Sequence, residues 1–317
     1  MNPGLNSGLV VTTHGRHCMV ERPDGTRLLC HPRGKKNQVV VGDQVMWLAG
    51  AQGQSDEGTI EQVLPRRNLF YRQDEIRTKS FAANLDQVLV LIAAEPEFSA
   101  HQLSRALVAA EAEKIPVLIA LNKRDLKEPF DRAWQRLAPY RDMNYAVLPV
   151  ALKPKEEGQS ESPSRSEAGD AEALWAALQG KTTLVLGPSG SGKSTLINRW
   201  VPGASAATGE ISQALNSGKH TTTSTTWYWV DEAKTTALVD SPGFQEFGLH
   251  HIPVTHLASL MPDMAAHAAG CRFYNCSHLH EPGCSVTAAL AAGTGVSAVR
   301  YKIYQDLHAE LSQAPRY

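Results

Sequence analysis

The chain has no long hydrophobic run: its longest uninterrupted apolar stretch, Val88 to Ala94, is far too short to span a bilayer. The first ten residues, MNPGLNSGLV, contain neither a basic region nor an apolar segment, so no secretory signal is expected and a cytoplasmic location follows. Charge of one sign is also lacking. Lys plus Arg number 31 against 32 for Asp plus Glu, which excludes a grossly basic nucleic-acid coat protein and leaves room for a local basic patch. Cysteine is scarce, with five in 317 residues, and three of the five fall between residues 271 and 284. An odd count so clustered, without an export signal, argues against a disulfide framework and for metal ligation in a reducing compartment. What remains, 42% hydrophobic and 20% charged residues, is ordinary globular composition over a length that accommodates two or three domains.

The pattern along the chain changes twice. Gly8–Thr13, His17–Glu21, Thr26–His31, Val39–Leu48 and Gly58–Leu64 read as short strands separated by turns such as Pro23-Asp24-Gly25, which predicts a small OB-like β-barrel. Asp86–Ala93, Ser99–Lys114 and Ile115–Leu121 then alternate strand, helix and strand, the signature of a parallel sheet covered by helices; Thr182–Leu186, Trp227–Val230 and Thr236–Val239 continue it. Residues 153–170 (KPKEEGQSESPSRSEAGD) read as a flexible insertion, too poor in apolar groups to offset its ordering entropy. Helical spacing returns at Val254–Ala268 and Val296–Leu311, on either side of the cysteine cluster. The predicted fold is multi-domain: an OB-like barrel over 1–75, an α/β P-loop domain over 76–248 and a mostly helical metal-binding domain over 249–317.

Three motifs carry chemistry. Gly187-Pro188-Ser189-Gly190-Ser191-Gly192-Lys193-Ser194-Thr195 follows an apolar strand and opens a helical stretch, the context a phosphate-binding loop requires. Its glycines let backbone N–H groups turn inward as an anion nest, Lys193 reaches the β- and γ-phosphates, and Ser194 ligates Mg²⁺. Asn122-Lys123-Arg124-Asp125 stands at the carboxyl end of a buried strand. The Asp125 carboxylate can accept two parallel hydrogen bonds from guanine N1–H and its 2-amino group, a pair that adenine cannot offer. Asp240-Ser241-Pro242-Gly243 follows another strand, with Asp240 placed to hold the Mg²⁺ shell through water and Gly243 to meet the γ-phosphate. The base reader precedes the phosphate loop, the reverse of the usual GTPase order, so the chain reads as a circularly permuted GTPase. The next residue, Phe244, cannot orient an attacking water, which predicts slow turnover until a partner completes the site. His220 is a candidate for that water, or equally a loop-packing residue, and one of Thr221, Thr222 and Thr223, with Thr222 favoured, would meet Mg²⁺.

Cys271-x4-Cys276-x-His278-x5-Cys284 supplies three thiolates and an imidazole, a closed tetrahedral set for one structural Zn²⁺; Cys18 and Cys30 read as small core residues on barrel strands. Arg66, Arg67, Arg72, Arg77 and Lys79, interleaved with Phe70, suit RNA backbone contact and base stacking, or else form a solvated linker face.

Barrel, permuted core and the run CRFYNCSHLHEPGC together resemble the ribosome small-subunit-dependent GTPase A family, as do FAANLDQ (81–87), TGEIS (208–212) and GKHTTT (218–223). The resemblance covers nearly the whole chain, and the family's histidine, two residues after the second cysteine, favours His278 over His280 as ligand. It implies GTP hydrolysis to GDP, stimulated by the small ribosomal subunit during its late maturation; the expected partners are that subunit and its 16S rRNA, and the expected state is a monomer. The chain departs from the family at Val150-Ala151-Leu152, where a Ser-Ala pair is usual near the base. Two other readings are a GTPase in metal delivery and an RNA-binding guanine-nucleotide sensor with little turnover.

Overall fold

The structure, a computed structural model, describes residues 5–34, 38–50, 57–75, 77–152, 165–201, 203–204, 225–242, 244 and 247–313, with the backbone alone at 165–168. Five strands close the amino-terminal barrel: β1 Asn6–His14, β2 His17–Glu21, β3 Arg27–Pro32, β4 Gln44–Ala49 and β5 Gly58–Val63. Their order is β1-β2-β3-β5-β4, and β4 pairs back onto β1. Alternate residues turn inward, so that Val10, Val20, Val45, Trp47 and Ile60 form the barrel core. Cys18 and Cys30 face each other across β2 and β3, both buried, as expected of small core residues.

A hairpin that the sequence pattern did not reveal, β6 Leu69–Gln73 and β7 Thr78–Ala83, leads into the second sheet. That sheet runs β10 (Ala146–Pro149), β9 (Val117–Asn122), β8 (Gln87–Ala93), β11 (Thr182–Leu186), β13 (Ala237–Asp240) and β12 (Thr226–Trp229). All its pairings are parallel except β12 with β13. Every residue of β8 is buried, as a strand covered on both faces must be. Val88, Val90 and Ile92 pack to one side with α1 (Ala100–Ala112), while Leu89 and Leu91 pack to the other with α4 (Arg165–Leu178) and α5 (Lys193–Trp200). Ser99 caps α1, its hydroxyl accepting from Gln102 N–H at 3.2 Å. Helices α2 (Lys127–Arg136) and α3 (Ala138–Asp142) connect β9 to β10. Strand β12 also pairs with β1 at Thr12 and Thr226, joining the barrel to the core sheet.

The expected helix over 254–268 is two short 3-10 turns, Val254–His256 and Ala258–Leu260, followed by α6 Pro262–Ala268. Proline at 262 forces Met261 into an extended conformation (φ −118°, ψ 101°) and breaks the helix there. Helices α7 (Ser285–Ala292) and α8 (Ala298–Leu311) complete the chain, packed on the α1 face of the sheet. A buried ion pair fixes them. Arg300 on α8 donates to both Asp263 oxygens (2.7 and 2.9 Å) and to Ser104 on α1 (2.7 Å).

The expected insertion over 153–170 is shorter than predicted, because residues 165–170 are the first turn and a half of α4. The buried Leu174 and Leu178 on α4 supply the apolar face that residues 153–170 lack. Residues 153–164 lie outside the described residues.

Candidate functional site

Strand β9 ends at Asn122, and β11 ends one residue before Gly187, so the two loops emerge side by side at the carboxyl edge of the sheet. The Asn122 side chain joins them. Its Nδ2 donates to the Ser191 carbonyl at 2.9 Å, and its Oδ1 accepts from Leu152 N–H at 3.1 Å. Gly192 takes φ +105°, and a Cβ there would stand 2.3 Å from Asn122 Nδ2; one at Gly187 would stand 2.1 Å from the Leu91 carbonyl oxygen. Larger residues would push the loop off the strands that hold it.

Between the loops lies a cavity of about 500 Å³, lined by Asn122, Lys123, Asp125, Ser189, Gly190, Gly192, Lys193, Ser194 and Thr195. Leu126 and Leu152 line it as well. Leu126 was missed from sequence, although an apolar residue immediately after a base-reading motif is the signal to look for. Gly187, Pro188 and Ser191 stand outside the lining and shape the loop from behind. The Arg124 side chain is turned out of the cavity, contrary to its inclusion among the nucleotide-binding residues. Its guanidinium pairs with Asp170 on α4 at 2.5 and 2.6 Å, clamping that helix beside the base-reading loop.

Lys193 folds back on its own loop, donating to the carbonyls of Gly187 (2.6 Å) and Pro188 (3.2 Å). Burial pushes its ammonium below the usual lysine range, against the pull of the nearby Asp240 carboxylate. Asp240, the last residue of β13, is itself pushed up by burial, with Lys193 opposing. A half-buried cation and a half-buried acid therefore face the phosphate loop, each incompletely compensated, and an anion with its divalent cation supplies what both lack. Phe244 is buried in the main core and presents no polar group. Gly243, His220, Thr221, Thr222 and Thr223 lie outside the described residues.

The second cluster is local. Cys271, Cys276, His278 and Cys284 bring their ligand atoms within 4.8 Å of one another, a set that could hold a metal ion. His278 turns Nδ1 toward Cys271 Sγ (3.4 Å) and Cys284 Sγ (3.5 Å), and takes φ +60° to do so. Tyr301 and Tyr304 on α8 donate to the carbonyls of His278 (2.7 Å) and Ser277 (2.6 Å), and Glu281 accepts from Ser277 N–H (2.7 Å). His280 points to solvent outside the cluster.

The profile of the RsgA GTPase family matches residues 63–250. A relative from Variovorax paradoxus (strain S110), named small ribosomal subunit biogenesis GTPase RsgA, is 67% identical over 98% of this chain and 94% of its own length. The chain belongs to the RsgA GTPase family. A Paraburkholderia phytofirmans relative of the same name is 48% identical over 98% of this chain and 94% of its own length. Among solved structures, YjeQ from Thermotoga maritima superposes with a TM-score of 0.71 at 27% identity, covering 97% of this chain and 98% of that one. The fold is shared too with YloQ, described as a circularly permuted GTPase, at TM-score 0.68 and 24% identity over 99% and 98% of the two chains. The permuted order read from the motifs accords with the description that YloQ carries.

Within this RsgA-family chain the cationic segment divides. Phe70 is fully buried between Phe81 and Phe247, with ring centroids 5.7 Å apart, and cannot stack on a base as expected: the hairpin turns it into the core. Arg66 is committed to the buried Asp43 (2.7 and 2.9 Å). Lys79 donates to the Pro242 carbonyl at 2.8 Å, and the Arg72 side chain is largely enclosed. Arg77 is exposed, and Arg67 is exposed while paired with Asp86.

Proposed function

We propose that this chain is a GTPase of small-subunit biogenesis that hydrolyses GTP to GDP and phosphate while bound to the small ribosomal subunit and its 16S rRNA. The observation that carries the reading is the convergence of Asn122, Asp125 and Lys193 on one cavity at the carboxyl edge of a permuted sheet. The name borne by relatives along the whole chain agrees with it. In this reading Asp125 accepts from guanine N1–H and the 2-amino group, the Lys123 stem covers the ring, and Leu126 and Leu152 exclude water beside it. Lys193 leaves the loop carbonyls for the β- and γ-phosphates, relieving the unfavourable burial of its charge. Ser194 and, through water, Asp240 would hold Mg²⁺, with Thr222 a further candidate; that ion, when bound, neutralises charge at the phosphates. Gly243 N–H would meet the γ-phosphate. With Phe244 buried, the attacking water is left to His220 or to the partner.

One structural Zn²⁺ at Cys271, Cys276, His278 and Cys284 fits the soft, closed donor set, and would tie the carboxy-terminal region (249–317) together. Arg67, at the end of the barrel domain (1–75), and Arg77, just after it, are the remaining candidates for RNA contact. No helix among the described residues is long and apolar enough to cross a membrane, and we place the protein in the cytoplasm as a monomer.

The test is GTP hydrolysis by the purified protein with and without small ribosomal subunits, with ATP as control. Strong stimulation by the small subunit, confined to GTP, is the expected result. Unstimulated turnover with GTP still bound would sink the subunit assignment.

A further inference from the structure

The segment that leaves β13 is fastened to the hairpin of β6 and β7 at two points. Close to β13, Lys79 Nζ donates to the Pro242 carbonyl at 2.8 Å. Further on, Gln73 N–H donates to the Gly248 carbonyl (3.1 Å), and the Gln73 carbonyl accepts from His250 N–H (3.0 Å). The fit at this second point is close, since a Cβ at Gly248 would stand 2.3 Å from Asp74 Oδ1.

Lys79 is poorly placed if its role is stability. It is half-buried and stands directly across the hairpin from Arg72, a second cation whose side chain is largely enclosed. Like charges facing each other across two strands are destabilising. Burial, and then Arg72, draws the Lys79 ammonium below the usual lysine range, with no carboxylate opposing them.

What the ammonium supplies is direction. The Pro242 carbonyl and the Gly243 N–H belong to one planar, trans peptide group, so an oxygen held toward the hairpin sends the N–H the opposite way. Proline fixes its own φ, which leaves the plane to turn about the Pro242 ψ and Gly243 φ bonds. The neighbours on either side are anchored. Ser241 is buried, with its hydroxyl 2.8 Å from that of Thr225, and Phe244 is buried in the core. Between such anchors the peptide group can still flip as a unit, and the bond from Lys79 selects one orientation.

We propose that Lys79 is a positioning residue for GTP, holding the Pro242 carbonyl so that the Gly243 N–H is presented to the γ-phosphate; this rests on the reading above that the Gly243 N–H meets that phosphate. Lys79 acts through the peptide and not on the nucleotide, since neither Lys79 nor Pro242 lines the nucleotide cavity. GDP has no γ-phosphate to receive the N–H. The hairpin therefore governs how well the protein tells GTP from GDP.

The test is calorimetric titration of the full-length protein, in the presence of Mg²⁺, with GDP and with the non-hydrolysable analogue guanosine 5′-(β,γ-imido)triphosphate. Lys79→Met keeps most of the stem, removes the donor and relieves the repulsion from Arg72. Lys79→Gln, one atom shorter, gives the answer if Lys79→Met fails to fold. Affinity for the analogue is expected to fall about tenfold, with affinity for GDP unchanged, and Lys79→Arg, which retains a donor, should regain most of the loss. A merely structural role would move both nucleotides together or neither, and either result overturns the proposal. Gly243→Pro, which has no N–H to offer, separates the proposal from the reading beneath it. If Gly243→Pro weakens the analogue and Lys79→Met does not, the amide reads the γ-phosphate without help from Lys79. If neither variant weakens it, the γ-phosphate role of Gly243 falls as well.

Discussion

The nucleotide cavity is assembled from segments far apart in the chain, whereas the Cys-His cluster draws its four ligands from residues 271–284. In the first, Asn122 reaches across 69 positions to hold Ser191. In the second, all four side chains come from one short segment, whose backbone is braced by hydrogen bonds from Tyr301 and Tyr304 and to Glu281. A site framed by tertiary hydrogen bonds is held by distant parts of the chain, while a closed set of three thiols and an imidazole draws folding energy from the ion it binds. A metal held by that set would add to the stability of the carboxy-terminal region, whereas the frame of the nucleotide cavity is set by the chain's own hydrogen bonds.

Removing the metal is the strongest way to break that contrast. Chelation, or Cys271→Ser, is expected to unfold the carboxy-terminal region, since structural zinc contributes on the order of 10 kcal/mol in small domains. Calorimetric melting with metal analysis checks it, and an unchanged melting profile after complete metal loss would remove the distinction. Next in size is Arg300→Met, which leaves Asp263 buried without its partner and should cost about 3–5 kcal/mol in urea unfolding. Recovery in the double variant with Asp263→Leu would show that the unpaired carboxylate, not lost packing, is responsible. On the nucleotide side, Asp125→Asn should weaken GTP binding about 100-fold with the fold intact, because it exchanges an acceptor for a donor opposite guanine N1–H and the 2-amino group. Xanthosine triphosphate, with a carbonyl at C2, should regain much of the loss, and equal affinity for GTP in variant and parent would count against Asp125 as the reader.

The smallest effect concerns Asp240, whose carboxyl burial pushes up against the opposing Lys193. An acid raised in the folded state binds its proton more tightly there than in the unfolded chain. Stability of the nucleotide-free protein therefore rises as pH falls from above the folded pKa toward the unfolded value. Asp240→Asn should flatten that rise and slightly increase the melting temperature at neutral pH, while impairing hydrolysis. An unaltered pH profile would show that Lys193 and the loop fully compensate the carboxylate.

The residues that meet in the nucleotide cavity and in the Cys-His cluster were legible as groups because each motif is written in nearly contiguous residues whose chemistry leaves few alternatives. The five barrel strands and β8, β9 and β11 were legible for a related reason: their alternation or continuous burial shows in short windows. What escaped depends on partners elsewhere in the chain. Phe70 among arginines looks like a stacking surface until Phe81 and Phe247 close over it. The first residues of α4 look too polar to order, and they are ordered by a helix whose buried leucines come later. Arg124 sits inside a nucleotide motif, yet its guanidinium is turned toward Asp170.

The single pairing of Thr12 with Thr226, reinforced by the Thr12 hydroxyl on the Thr225 carbonyl at 3.0 Å, also sets an order of events during synthesis. The barrel strands can pair among themselves as soon as the first 63 or so residues have left the ribosome, because all five lie within them. The partner of Thr12 is made 214 positions later, a delay of roughly 10–40 s at ordinary rates of translation. Until then that stretch of β1 has an open edge, and the barrel is tied to the growing sheet through the segment before β8, by the Val41–Ala82 bridge and by Asn84 Nδ2 donating to the Gly42 carbonyl at 2.8 Å. The strand pairing that completes the joint forms only once β12 has emerged, after every strand of the sheet but β13 has been made.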